Sequence, residues 1–135
     1  MRLGSNDTHI CAPNTGIYES TRARVHVSRE SEKTLEASFR KVIEALGGMA
    51  LKLSSQLHRG LPDRLVLMPG GLAFFAEIKT TGERPTRLQK HCHQQLRELG
   101  FQVYVIDSTD SLETALALMD RAVIAERIKR EEFEL

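Results

Sequence analysis

Gly60-Leu-Pro-Asp-Arg-Leu-Val-Leu-Met-Pro-Gly-Gly-Leu-Ala-Phe-Phe-Ala-Glu-Ile-Lys79 is the stretch from which the fold can be read. Arg64 to Met68 and Leu72 to Lys79 are apolar, β-prone runs, and Pro69-Gly70-Gly71 between them is a turn signal, so the segment predicts one tight β-hairpin. Folding about Gly70 pairs residues whose numbers sum to about 140, which sets Asp63 opposite Glu77 with Cβ atoms roughly 5 Å apart. Side chains alternate along a strand, so Glu77 and Lys79 project to one side while Ile78 points to the other, into apolar packing. Two carboxylates and a lysine at one sheet end suit a divalent cation and metal-assisted phosphodiester chemistry.

Outward from the hairpin, periodicity predicts the remaining elements. A serine cap at Ser28 or Ser31 opens an amphipathic helix that runs to Leu46, with Leu35, Phe39, Val42, Ile43 and Leu46 on one stripe, before Gly47-Gly48 stops it. Met49 to Leu53 reads as a short strand and Ser54 to Leu61 as a polar loop. After the loop Thr80 to Pro85, Thr86 caps a helix from Arg87 to Leu99 that ends at Gly100. Phe101 to Ile106 is nearly all apolar, which predicts a strand inside the sheet. Ser108 or Thr109 opens a last helix with a stripe of Leu112, Leu116, Met119, Val123 and Ile128, its charged end fraying. The order αβββαβα predicts an α/β fold, a mixed sheet flanked by helices in which the Arg87 helix makes a crossover to a parallel strand. Residues 1–29 lack a sustained period and read as an irregular arm, with a short strand permitted at Val25 and Val27, while residues 30–135 form the domain.

A chain of 135 residues is sized for one domain. No stretch is long and apolar enough for a membrane span, no export signal is visible, and Cys11 and Cys92 read as reduced thiols, so a cytoplasmic setting is expected. The formal net charge of +1 hides an uneven distribution. Between His58 and Arg97 seven Arg and Lys face three acids, two of them Asp63 and Glu77. From Asp107 onward eight acids outnumber four bases. The middle of the chain therefore suits phosphate contacts and its C-terminal end should face away from nucleic acid. His91-Cys92-His93 has a metal-like composition, but adjacent residues point around a helix, so surface or packing roles are expected. His58, near the site in sequence, reads as a loop residue.

Gly60-Leu61-Pro62-Asp63-Arg64, Phe75-Ala76-Glu77-Ile78-Lys79 and Gln89 on the following helix together resemble the VRR-NUC nucleases of the PD-(D/E)xK superfamily, over about Ser31 to Leu118. The resemblance implies a restriction-endonuclease-like core and an endonuclease with Mg2+ as cofactor, Mn2+ substituting, and no organic cofactor. Asp63 and Glu77 take the metal-ligand positions, with the backbone carbonyl of Ile78 as a third oxygen. Lys79 holds or helps deprotonate the attacking water, and Gln89 positions Lys79 or that water. The family's helical glutamate matches either Glu32 or Glu36, four apart on one helix face, with Glu32 favoured and Glu36 in support. Arg59, Arg64, Lys52, Arg84 and Arg87 are candidate nucleic-acid contacts, Lys52 and Arg64 equally being candidate structural ones. The resemblance also implies a homodimer acting on branched DNA such as Holliday junctions, in a phage or bacterial cell. A flap-type or nonspecific nuclease, and a binding module that keeps the fold without turnover, are the alternatives.

Overall fold

The computed structural model describes residues 31–54, 56 and 58–134. The expected arm, the Val25 and Val27 strand and the Ser28 cap lie outside these residues. Seven elements follow in the predicted order: α1 (Glu32–Ala45), β1 (Met49–Lys52), β2 (Arg64–Met68), β3 (Leu72–Ile78), α2 (Arg87–Glu98), β4 (Gln102–Ile106) and α3 (Thr109–Phe133).

Local chemistry sets the boundaries. Ser31 Oγ accepts from the Thr34 amide and starts α1. At α2 the cap is reciprocal, since Thr86 Oγ1 accepts from the Gln89 amide (3.2 Å) and Gln89 Oε1 accepts from the Thr86 amide (2.8 Å). The three-residue turn Pro69-Gly70-Gly71 puts both glycines at positive φ, 93° and 74°, which closes the hairpin with Met68 opposite Leu72.

The sheet order is β1-β2-β3-β4, antiparallel except for the parallel β3–β4 pair. Hairpin partners sum to 140 throughout, from Arg64–Ala76 to Met68–Leu72. One face carries Val66, Met68, Phe74, Ala76, Ile78 and Ile106 against Leu35, Phe39 and Ile43 of α1 and Leu112, Ala115, Met119 and Val123 of α3. Phe39 and Ile43 are fully buried, each contributing on the order of 2 kcal/mol by leaving water. On the other face α2 packs on β4, placing Cys92 and His93 in the interior.

Three expectations need correction. Among the described residues β4 is an edge strand, bonded to β3 alone, not an inner one. It is apolar because α3 covers one of its faces and α2 the other, so burial acts across the faces and not along the edge. The last helix does not fray at its charged end but continues to Phe133. Arg130 ties it to the hairpin turn by donating to the Gly70 carbonyl (2.9 Å), and it pairs with Glu126 one turn back. Val42 and Ile128, read as stripe residues, are exposed.

Candidate active site

Asp63 sits where β2 begins, held by its own backbone: its carbonyl accepts from the Leu53 amide (2.8 Å), prolonging the β1–β2 ladder. Its side chain is held as well, Oδ2 accepting from the Ile78 amide across the hairpin (2.9 Å). The preceding loop can take this path because Gly60, at φ 88°, presses against α2, where an added Cβ would lie 2.8 Å from the Leu88 carbonyl oxygen. Lys79 follows β3 and is pinned by its amide to the Ile106 carbonyl (2.8 Å).

Glu77 projects from β3 onto the α2 side of the sheet and is 0% exposed. Its Oε1 accepts from Gln89 Nε2 (2.7 Å) and lies 3.3 Å from Lys79 Nζ. Its Oε2 is buried without a hydrogen-bond partner among the described residues. Burial foremost, and the negative charge of Asp63 next, push the Glu77 carboxyl up to about 7, against the pull of Lys79. Asp63 and Glu77 are thus two close carboxylates that repel, one in a desolvated position with an oxygen to spare. An oxygen-seeking divalent cation would relieve both the repulsion and the orphaned oxygen, so the donor set fits Mg2+ or Mn2+. Among the described residues no group of three or more His, Cys, Asp and Glu side chains converges as a metal cluster. A cation here would draw on the two carboxylates and backbone oxygen, Ile78 being the carbonyl between Glu77 and Lys79.

Gln89 acts differently from the sequence expectation. Its amide reaches Glu77 instead of Lys79, while its carbonyl end serves the helix cap, so one side chain fixes both the start of α2 and a carboxylate. His93, expected from sequence to have a surface or packing role, is buried against the same carboxylate, with Nε2 3.7 Å from Glu77 Oε2. Burial first, then Arg97, lowers its pKa, opposed by Asp63, which favours the neutral imidazole over an ion pair with Glu77. The signal that could have found it is spacing: Gln89 and His93 are four apart on one helix and therefore share a face. Cys92 points into a cleft also lined by His58, Leu61 and Leu96, and burial raises its thiol pKa, with Glu77 adding to the rise.

The α1 glutamates belong to the other face. Strand alternation sends Arg64, the neighbour of Asp63, to the α1 side, where its guanidinium pairs with Glu36 and donates to the Ala50 carbonyl (3.1 Å). Glu32 is exposed and makes no hydrogen bond or ion pair among the described residues. Lys52 is opposite Arg64 in the β1–β2 register and exposed. Arg59, Arg84 and Arg87 are exposed around the N-terminal end of α2, the end that carries Gln89. The structure therefore joins Asp63, Glu77, Lys79, Gln89 and His93 in one cluster, with Glu36 and Arg64 as a separate pair behind it.

No family model matches the chain. Among curated proteins, "Putative nuclease p44" of Acyrthosiphon pisum secondary endosymbiont phage 1 is 43% identical over 79 residues, which is 58% of this chain and 85% of that protein. Among solved structures, a chain described as "VRR_NUC domain" superposes with a TM-score of 0.61 at 29% identity, over 65% of this chain and 97% of the other. With that identity extending across most of the phage protein, and a mixed four-stranded sheet matching almost the whole of the solved domain, this chain belongs to the VRR-NUC nuclease family.

Proposed function

We propose that this protein is a divalent-metal-dependent endonuclease that hydrolyses phosphodiester bonds in DNA, selective for branched DNA and active as a homodimer. The observation that carries the reading is the Asp63–Glu77 pair: two close carboxylates, one buried with an oxygen unpartnered, beside a lysine. Asp63 and Glu77, with the Ile78 carbonyl, would hold Mg2+, Mn2+ substituting. When bound, the cation supplies Lewis-acid stabilisation of charge on the phosphate and makes water more acidic. The ammonium of Lys79 offsets charge developing on the scissile phosphate and orients the attacking water. Gln89 keeps the Glu77 carboxylate in place, and the Ile78 amide does the same for Asp63. Arg59, Arg84 and Arg87 would contact the flanking backbone phosphates.

Symmetric cutting of a four-way junction needs two sites, which twofold symmetry supplies. Support for a partner surface comes from Met49, Leu51 and Leu67, which share the sheet face away from α1 and are 56%, 38% and 38% exposed. Sedimentation of the protein with and without junction DNA tests the dimer, and a monomer in both conditions refutes it.

The activity is tested by cleavage of a labelled four-way junction and a matched linear duplex with Mg2+, Mn2+ or EDTA, comparing wild type with Asp63→Ala and Lys79→Ala. Symmetric, metal-dependent nicking of the junction is expected, lost in both variants. Equal cleavage of both substrates would refute the branched-DNA preference. Salt-sensitive binding without any cutting would replace the nuclease with a binding module.

A further inference from the structure

The two oxygens of Glu77 are treated unequally. Oε1 receives the Gln89 amide and lies beside Lys79, whereas Oε2 faces an imidazole nitrogen, His93 Nε2, and both of these buried atoms lack a hydrogen-bond partner among the described residues. Buried polar atoms left unpaired are costly, and two of them facing each other at 3.7 Å are about half an ångström from a hydrogen bond. His93 lies one helical turn beyond Gln89, on a helix whose start is fixed by the Thr86–Gln89 cap, so α2 presents two side chains to one carboxylate. Its neighbour Arg97 is engaged elsewhere, donating to the Val103 carbonyl (2.8 Å).

We propose that His93 is a positioning residue: through Nε2–H it engages one lone pair of Glu77 Oε2, leaves the other for the divalent cation, and fixes the plane of the carboxylate. Gln89 and His93 then act as a two-pronged support from α2, one prong on each oxygen. A carboxylate held at one oxygen alone can swing about that contact. Donors to a metal-binding carboxylate orient it in this way, and their loss typically costs about ten- to a hundredfold in metal affinity. The inference rests on the divalent-cation reading above.

The test is Mn2+ affinity of the full chain, read from the electron paramagnetic resonance of free Mn2+, for wild type, His93→Gln, His93→Asn and His93→Leu. A glutamine amide can occupy the place of Nε2, whereas asparagine stops short of Glu77. Affinity is expected to stay within about threefold of wild type in His93→Gln and to fall by about ten- to a hundredfold in His93→Asn and His93→Leu. The KM for DNA should be unchanged, and cleavage by His93→Asn should recover at high Mn2+. If His93→Leu fails to fold, the Gln and Asn variants decide, since both are polar and differ in reach. Equal affinity in those two, with wild type binding Mn2+, would overturn the role of His93 alone. A wild type that binds no Mn2+ would overturn the cation reading and this inference with it.

Discussion

Replacing Glu77 by glutamine should stabilise the metal-free protein at neutral to alkaline pH, although it removes a proposed metal ligand. Glu77 is fully buried and its carboxyl is raised from 4.5 to about 7, so near pH 8 the native state holds an ionised carboxylate in a place that favours its neutral form. At about 1.4 kcal/mol per pH unit, the penalty reaches at most about 3 kcal/mol. The sign follows from linkage. A folded pKa above the unfolded one means that the native state binds the extra proton between pH 4.5 and 7. This contribution to stability is complete below the unfolded value and is lost as pH rises through 7. Glutamine has nearly the same shape, can accept from Gln89 through its own carbonyl while its amide nitrogen faces His93 Nε2 in the tautomer protonated at Nδ1, and has no charge to desolvate. In urea unfolding with EDTA, Glu77→Gln should exceed wild type by about 1–3 kcal/mol at pH 8 and match it near pH 4.5. Added Mn2+ should stabilise wild type and leave the variant unmoved. A variant less stable than wild type at pH 8, or offset by the same amount at both pH values, would refute the reasoning.

Three further outcomes separate scaffold from chemistry. Gly60→Ala, at φ 88° and against the Leu88 carbonyl, should cost about 1–3 kcal/mol in urea unfolding and impair cleavage by displacing the loop that carries Asp63. Glu36→Gln should cost about 1–2 kcal/mol, because it leaves the half-buried Arg64 guanidinium without its carboxylate, whereas Glu32→Gln should stay within about 0.5 kcal/mol. Unchanged stability with abolished cleavage in Glu36→Gln would place Glu36 in the reaction and not in the scaffold. Gln89→Leu removes both a cap partner and a donor to Glu77, while Thr86→Ala removes only the cap, so both should lose about 1 kcal/mol or more but Gln89→Leu alone should lose Mn2+ affinity. Equal Mn2+ affinity in the two variants would reduce Gln89 to a cap.

Which parts of this were legible in the sequence depends on the range of the interaction that fixes them. The Asp63–Glu77 register follows from a turn and a two-residue period, both local, and the pairing agrees from Arg64–Ala76 to Met68–Leu72. The start of α2 follows equally from Thr86 and Gln89. The edge position of β4 did not follow, because an apolar run reports how many faces are covered and not which strands lie alongside. Helical structure through Phe133 is accompanied by a contact of Arg130 with Gly70, sixty residues away in the chain, which no local period records. Glu32 and Glu36 share a helix face, so periodicity could not choose between them, and it is the tertiary partner Arg64 that separates them. His93 was hidden by its neighbours: within His91-Cys92-His93 it reads as part of an improbable metal cluster, and only its spacing from Gln89 marks its face.

The same residues that make the domain fold also determine where it is costly to fold. Gln89 closes a helix cap and aims at Glu77, Gly60 seats a loop and delivers Asp63, and the hairpin turn sets both the register of the sheet and the meeting of the two carboxylates. None of these contacts can relax to ease the repulsion between Asp63 and Glu77 without loosening the α2 side of the sheet. The frame therefore holds an electrostatic penalty that a bound cation would discharge, and metal binding and folding stability would then be two readings of the same free energy. On that argument the gain in stability of wild type on adding Mn2+ at pH 8 should disappear in Glu77→Gln and shrink in Asp63→Asn, while Lys79→Ala, which removes a competing positive charge next to Glu77, should bind Mn2+ at least as tightly as wild type and still fail to cut. Weaker Mn2+ binding by Lys79→Ala would mean that the lysine maintains the geometry of the site, and its assignment to the phosphate and the water would fall.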